Sequence, residues 1–552
     1  MRVTAAQGIA RILKSEAIPW VSTFPVCGVN NALGEEGMPL LMMRDERYAV
    51  AVADAFSRVT GGQQIGVCTV MGGTNPAGLQ MAYGALAQAY EDSSPVLCIS
   101  DDVELGVRGV RRYDIEQGFE SVTKWIGRIE QPERVPEFMR RAFTYLRTGR
   151  PGPVLITLPA GLGQYEEEHD PYEAVRGWKW APDPDDVRKA AAALAAAEAP
   201  LLYVGEGVFY AGATDELLDF AEALNAPVLT SLKGKSAFPE NHPLSVGVRG
   251  EPAAHFLTRC DLVFVVGSSL SPGHFRHAIP NARDKVIVQC TVDPTDLNRS
   301  YTIDYGLIGD AKLTLAALTA ELTSRLSDRD PGVGQRVTRE VAALREQLLT
   351  KYGPLMESNE TPINPYRVYG DLMKVLDPED SFVTHDSGNT RDQMSTVYEA
   401  VIPRGFVGWG TVTTLGFGLA AAVAARLAHP DRPCVNVTGD AGVGYMMGNL
   451  EALVRNDIGV TTVHINNGGF AGYGPGFWGP GHDPYTCEVL DYSDASMAEV
   501  VGPMGYYAEA VEEPSAIIPA LKRALEANAS GQPAYVEVVC SRHPVFGEWV
   551  KG

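Results

Sequence analysis

Short apolar runs rich in Val, Ile and Leu recur along the chain, separated by longer stretches whose apolar positions repeat at helical spacing. GVCTV (66–70), SPVLCIS (94–100) and GPVLITLP (152–159) have the length and composition of buried strands. ERYAVAVADAFSRVTG (46–61) reads as a helix ahead of the first of them. Two further blocks repeat the pattern. In the second, APLLYVGEG, APVLTS, DLVFVVGSS and KVIVQCTVD follow an Ala-rich helical stretch. In the third, SFVTHD (381–386), PCVNVTGD (433–440), VTTVHINN (460–467) and AYVEVVC (534–540) are the predicted strands. The charged, Pro-bearing stretch 166–186 reads as a linker, as does the polar stretch 326–362, which carries one amphipathic helix. Strands alternating with helices predict an α/β chain of three doubly wound parallel-sheet domains, over 1–165, 187–325 and 363–552.

Composition narrows what such a chain can do. At roughly 100–200 residues per domain, its 552 residues fit three domains. A net charge of −22, from 68 acidic against 46 basic residues, argues against nucleic acid and against a polybasic membrane surface. It leaves an anionic small molecule open, because the field of a site is set locally. None of the eight cysteines forms a CxxC pair and most lie in apolar stretches, so buried thiols are expected rather than a disulfide frame. The chain opens without an apolar signal-peptide core, and it has no run of about 18 apolar residues. A cytoplasmic protein is expected.

The strongest local signal is VTGDAGVGYMMGNLEALVRNDIGVTTVHINNGGF (437–470). A strand ends in Gly439-Asp440, a Gly-rich turn opens a helix, and a second strand ends in Asn466-Asn467. In a parallel strand–helix–strand unit both strand ends reach the carboxyl edge, where α/β folds bind ligands. The Asp440 carboxylate and the Asn467 amide oxygen are hard ligands suited to Mg²⁺ shared with phosphate oxygens. The amides of the turn, at Gly439, Ala441 and Gly442, open a helix and can hold a diphosphate. The alternative is a Gly-rich turn of some other nucleotide-binding fold.

This segment resembles the GDG…NN motif of thiamine-diphosphate (ThDP) enzymes, with Ala441 where the family usually has Gly. The resemblance implies Asp440, Asn467 and the Gly469 carbonyl as Mg²⁺ ligands. GTVTTLGFGLAAAVAARLAHPDRP (410–433) is similar to the family segment that bends the cofactor. It implies Leu415 as the apolar wedge and the Thr413 carbonyl as a partner of the aminopyrimidine. HDSGNT (385–390), with Gly388 and Asn389, is expected to line the diphosphate.

In the first block, MMRDERYAVAVADAFSRVTGGQQIGVCTV (42–70) resembles the family's Arg-x-Glu element and implies Glu46 as the catalytic carboxyl. In this chemistry such a group hydrogen-bonds a pyrimidine nitrogen and promotes removal of the thiazolium proton. Read alone, Glu46 could equally complement a helix dipole. The loop that begins Gly72-Gly73 and the loop Phe24–Gly28, with Cys27, match segments that face the substrate. Arg111 and Arg112 stand where relatives commonly carry Gln-Glu and would suit an anionic substrate; a surface ion-pair role is the alternative. After Asn467 a Gly-, Pro- and aromatic-rich stretch could cover the site, with Tyr473, Phe477 and Trp478 facing the substrate.

Nearly the whole chain is similar to the acetolactate synthase / 2-keto acid decarboxylase group of ThDP enzymes, in the order pyrimidine-binding, central, diphosphate-binding. The resemblance implies ThDP- and Mg²⁺-dependent cleavage or formation of a C–C bond next to a carbonyl. It implies a homodimer as the minimum unit, with a homotetramer expected. FAD is not expected, since Gly205-Glu206-Gly207 is a lone GxG. The alternatives are a 2-hydroxyacyl-CoA lyase or oxalyl-CoA decarboxylase, a Rossmann-type dehydrogenase, and a non-catalytic homolog.

Overall fold

The computed structural model describes residues 1–551 apart from 74–75, 106–113, 274, 327–331 and 470–494. Three six-stranded parallel sheets organise these residues. The first runs in the order Leu40–Met42, Val21–Thr23, Gly66–Val70, Val96–Asp102, Val154–Pro159, Trp125–Arg128. The second runs Ser245–Gly247, Val228–Thr230, Pro200–Val204, Leu262–Val266, Val286–Thr291, Tyr305–Ile308. The third runs Phe406–Gly408, Phe382–His385, Cys434–Gly439, Thr461–Asn466, Ala534–Val539, Tyr507–Val511. Counted within each sheet, the first and third share the strand order 2-1-3-4-6-5, while the second has the order 3-2-1-4-5-6. In each, the order reverses beside a central strand, and the carboxyl edge at that point is where such sheets bind ligands.

The strands form because their β-branched residues pack on both faces. Val435, Val437, Val463, Ile465, Val536 and Val538 share one core with Tyr366, Tyr369 and Leu372 of the helix Pro365–Val375. Cys434–Gly439 pairs in parallel with Thr461–Asn466, Thr438 opposite His464 and Gly439 opposite Ile465, so both strands end at one edge.

The chain divides into two compact units. One comprises 1–179, 409–430 and 446–456 and contains the first sheet. Here the Ala-rich helix Glu46–Val59 packs on the helix Phe417–Ala428, and Arg58 lies over the Phe417 ring at 4.9 Å. Arg58 is almost fully buried and is neutralised by Asp54 (2.7 Å) and Asp92 (2.9 Å). The stretch after Glu166 is tied into this unit by the buried Glu16, which accepts from Tyr172 Oη (2.5 Å) and the Val175 amide (3.0 Å). Arg2–Thr4 and Gln164–Glu166 also form a small antiparallel pair, which the hydropathy pattern did not announce.

The other unit comprises 180–408, 431–445 and 457–552 and holds the second and third sheets. Buried Lys235 pairs there with Glu240 and donates to the Tyr398 carbonyl (2.6 Å), and Glu240 also accepts from the Ala400 amide (2.7 Å). Arg249 reaches Asp392 (2.5 Å) and lies over Trp549 at 4.5 Å. No helix among the described residues is long and apolar enough to cross a membrane.

Candidate active site

In the second unit the candidate residues lie at the ends of two neighbouring strands of the third sheet. Phe382–His385 leads through Asp386 and Ser387 to Gly388, which starts the helix Asn389–Val397 with a φ of 90° and no side-chain cap. Cys434–Gly439 leads directly into the helix Asp440–Arg455. Two helix N-termini side by side offer unpaired amides and positive dipole ends to an anion. A β-carbon on Gly442 would stand 2.2 Å from Thr438 Oγ1 and 2.9 Å from Asp386 Cγ, so only glycine lets this turn lie so close to the neighbouring strand end.

Asp440 is 8% exposed, and its two oxygens face different partners. Oδ1 accepts from His464 Nε2 at 3.1 Å. Oδ2 accepts from the backbone amides of Asn467 (3.2 Å) and Gly469 (3.4 Å). The Asn467 side-chain oxygen lies 3.1 Å from that same Oδ2 and 3.0 Å from the Gly469 carbonyl oxygen. Three acceptor oxygens therefore converge. In a cation-free protein the amide turns over and donates to both neighbours. With a cation between them the oxygens face inward, and neighbouring ligands of an octahedral Mg²⁺ stand about 3 Å apart. The donor set (carboxylate, amide and peptide carbonyl) is hard and singly charged, leaving the remaining positions to phosphate and water. Among the described residues no group of three or more His, Cys, Asp or Glu side chains is placed to hold a metal ion. The turn is fixed from behind: Arg542 donates to the carbonyls of Asn467 (3.1 Å) and Gly468 (2.9 Å). Glu537 accepts from Asn466 Nδ2 (2.7 Å), Ser496 Oγ (2.8 Å) and the Ala498 amide (2.7 Å).

In the first unit Glu46 begins the helix that Asp45 caps through the Tyr48 amide (2.8 Å). Asn449 fixes this corner, donating to Asp45 Oδ2 (2.8 Å) and accepting from the Arg44 amide (3.0 Å). Glu46 is 6% exposed, and a β-carbon on Gly78 would stand 2.4 Å from its Oε1. Burial raises its pKa above the ordinary carboxyl range; Asp45 adds to this and the Glu46 backbone amide opposes it. The loop carrying Thr413 and Leu415, both half-buried, is held in the same unit. Asp92 accepts from the amides of Gly410 and Thr411, each at 2.9 Å, and Tyr48 Oη donates to the Gly416 carbonyl at 2.5 Å. Thr413 has a φ of 63°.

The raised pKa of Glu46 has a consequence for stability. Its folded value lies above its unfolded value, so stability is lost as pH rises from the unfolded pKa through the folded one. In cofactor-free protein, Glu46→Gln should therefore raise the Tm more at about pH 8 than at about pH 4, on either side of the unperturbed Glu value. A difference in Tm independent of pH would contradict this.

Cys27 is buried, and desolvation pushes its thiol well above the usual range, so it stays a thiol. Gly72 and Gly73 follow the strand Gly66–Val70. Asp101, at the end of the adjacent strand, joins the two loops: its Oδ1 accepts from the Gly28 amide (2.8 Å) and its carbonyl from the Gly73 amide (3.1 Å). Sequence reasoning missed Asp101, although an acidic pair at a strand end was a visible signal. It also assigned no role to Asp92, Asn449, Arg542 and His464, which support the candidate residues. Arg111, Arg112, Tyr473, Phe477 and Trp478 lie outside the described residues.

Residues 3–123 match the family described as "Thiamine pyrophosphate enzyme, N-terminal TPP binding domain", residues 187–318 its central domain, and residues 386–538 its C-terminal TPP binding domain. A probable acetolactate synthase large subunit of Methanocaldococcus jannaschii is 32% identical over 488 residues, 84% of this chain and 80% of that protein. The glyoxylate carboligase of Escherichia coli O157:H7 is 28% identical, covering 84% and 79%. A probable 2-ketoarginine decarboxylase of Pseudomonas aeruginosa is 29% identical, covering 80% and 78%. The chain belongs to the thiamine-diphosphate-dependent enzymes of the acetolactate synthase family.

Proposed function

We propose that the chain catalyses ThDP- and Mg²⁺-dependent cleavage or formation of a C–C bond next to a carbonyl, as a 2-keto acid decarboxylase or carboligase. The observation that carries this reading is the convergence of Asp440 Oδ2, Asn467 Oδ1 and the Gly469 carbonyl beside a helix N-terminus. It is the donor set a Mg²⁺ diphosphate needs. The relatives' names support the reaction class and also its breadth, since they cover carboligation and decarboxylation.

When bound, thiamine diphosphate supplies a carbon nucleophile and an electron sink for the carbonyl carbon. The chain's own residues do the rest. Asp440, Asn467 and Gly469 would hold the cation, and the turns at Gly388, Asn389, Gly439, Ala441 and Gly442 would receive the diphosphate. Leu415 would support the thiazolium ring, and the Thr413 carbonyl would accept from the aminopyrimidine. Glu46, kept protonated to higher pH by burial, would present its O–H to a pyrimidine nitrogen as the proton donor and acceptor there. Cys27, Gly72 and Gly73 face a small-molecule substrate. Arg111 and Arg112 are assigned to an anionic group on it, and Tyr473, Phe477 and Trp478 to its cover.

A homodimer is the minimum unit and a homotetramer the proposed assembly. The helix Ala77–Glu91 supports this, because it leaves Met81, Tyr83 and Tyr90 exposed at 55%, 37% and 41%. A cytoplasmic setting is supported by the seven described cysteines, all buried and none in a disulfide. The chain is proposed to work without FAD. Gly205 and Gly207 donate their amides to the carbonyls of Val266 (2.8 Å) and Gly267 (2.9 Å), which removes both from service to a phosphate.

The test is CO₂ release from a panel of 2-keto acids, including pyruvate and glyoxylate, with ThDP and Mg²⁺ added separately and together. Turnover that requires both is expected. Absence of turnover across the panel, with both bound, would overturn the reading.

A further inference from the structure

The strand Thr461–Asn466 is buried along its length, and its side chains alternate between faces. Val463 and Ile465 enter the apolar core of the third sheet. Thr462, His464 and Asn466 point the other way. His464 is 1% exposed, and an imidazole at such a place is costly unless both ring nitrogens are paired. Both are: Nε2 lies 3.1 Å from Asp440 Oδ1 and Nδ1 lies 3.0 Å from Tyr535 Oη. A carboxylate only accepts, so Nε2 carries the hydrogen; Nδ1 then accepts from the Tyr535 hydroxyl. Tyr535, on the next strand of the sheet, is itself fully buried.

We propose that His464 is a positioning residue for the cation, with Tyr535 fixing its ring. The chain Tyr535–His464–Asp440 commits Oδ1 of the carboxylate to the imidazole and so aims Oδ2 at Asn467 and Gly469. Without the imidazole, Oδ1 loses its donor and only the longer contacts from the Asn467 (3.2 Å) and Gly469 (3.4 Å) amides hold the carboxylate, so the three oxygens are held together less firmly. Outer partners of this kind orient ligands, and their loss typically lowers metal affinity by about 10–100-fold. The inference rests on the proposed Mg²⁺–ThDP site and adds to it a residue that no ligand motif contains.

The experiment is Mn²⁺ binding to the full-length protein in the presence of ThDP, read from the free-Mn²⁺ EPR signal. His464→Phe, which keeps the ring's bulk and removes its nitrogens, should weaken Mn²⁺ binding by about 10–100-fold. His464→Gln, whose amide can reach Asp440 as a donor, should recover most of that loss. A merely structural role would not separate these two variants. If His464→Phe does not fold, Tyr535→Phe takes its place and should weaken Mn²⁺ binding by about tenfold, the lower end of the same range. Wild-type affinity in the variants, with Mn²⁺ bound by the wild type, would overturn the inference and leave the proposed function standing. Failure of the wild type itself to bind Mn²⁺ and ThDP would remove both.

Discussion

Glu46→Gln should lose about 10²–10⁴ in turnover, the range that a positioned proton donor or acceptor contributes, while binding ThDP as the wild type does. Three features lead to this. The carboxyl sits at the first turn of a helix whose cap is tied down by Tyr48 and Asn449, so its position is set by the fold. It is 6% exposed, and Gly78 leaves space only for the carboxyl itself. Its pKa is raised by desolvation, which favours the O–H form able to donate to a ring nitrogen. Glutamine keeps the size and a donor hydrogen but cannot give up or regain a proton. The loss should therefore fall on kcat, with cofactor affinity nearly unchanged. Steady-state kinetics beside a ThDP titration separates the two. A loss of less than about tenfold in turnover, with the cofactor bound, would take Glu46 out of the reaction.

Asp440→Ala should weaken Mg²⁺-supported ThDP binding by more than about 100-fold, since loss of a ligand exceeds the loss of an outer partner. Asp440 contributes the one formal charge of the three-oxygen set, and its Oδ2 also accepts the Asn467 and Gly469 amides that shape the turn. Alanine removes the ligand and also leaves the buried His464 Nε2 and those two amides without an acceptor. Wild-type protein dialysed against a chelator should show the same loss and recover fully on adding Mg²⁺; the variant should not recover. Calorimetric titration of ThDP at fixed Mg²⁺ measures both. Wild-type affinity in the variant would move the cation site elsewhere.

Much of this was legible in the chain because particular residues carry their meaning locally. The strands Cys434–Gly439 and Thr461–Asn466 are apolar runs that stop at Gly-Asp and Asn-Asn, so the sheet edge and its candidate ligands could be read together. The helix from Glu46 was visible in its Ala-rich periodicity, and its end falls at Val59, close to the expected boundary. What could not be read depends on partners far apart in sequence. Asp101 at the end of a strand is an ordinary polar residue until the fold brings Gly28 and Gly73 to it. Asp92 stands in an Ala-Tyr-x-Asp-Ser stretch at the end of a helix, but its partners, the amides of Gly410 and Thr411, lie more than 300 residues away in sequence. His464 sits in an apolar strand, where a histidine reads as core; only the parallel register places it beside Asp440. The short strand Arg2–Thr4 gives no periodicity long enough to read, and its pairing with Gln164–Glu166 comes from the return of the chain.

On the proposed reading, this chain activates bound ThDP toward a 2-keto acid, with a cation held by Asp440, Asn467 and Gly469. The most direct test loads the protein with ThDP and Mg²⁺, adds pyruvate, quenches in acid within the turnover time and reads the cofactor by NMR. A covalent pyruvate-derived adduct is expected in the wild type, and far less in Glu46→Gln. Fully bound ThDP that carries no adduct, with pyruvate and with larger 2-keto acids alike, would contradict it.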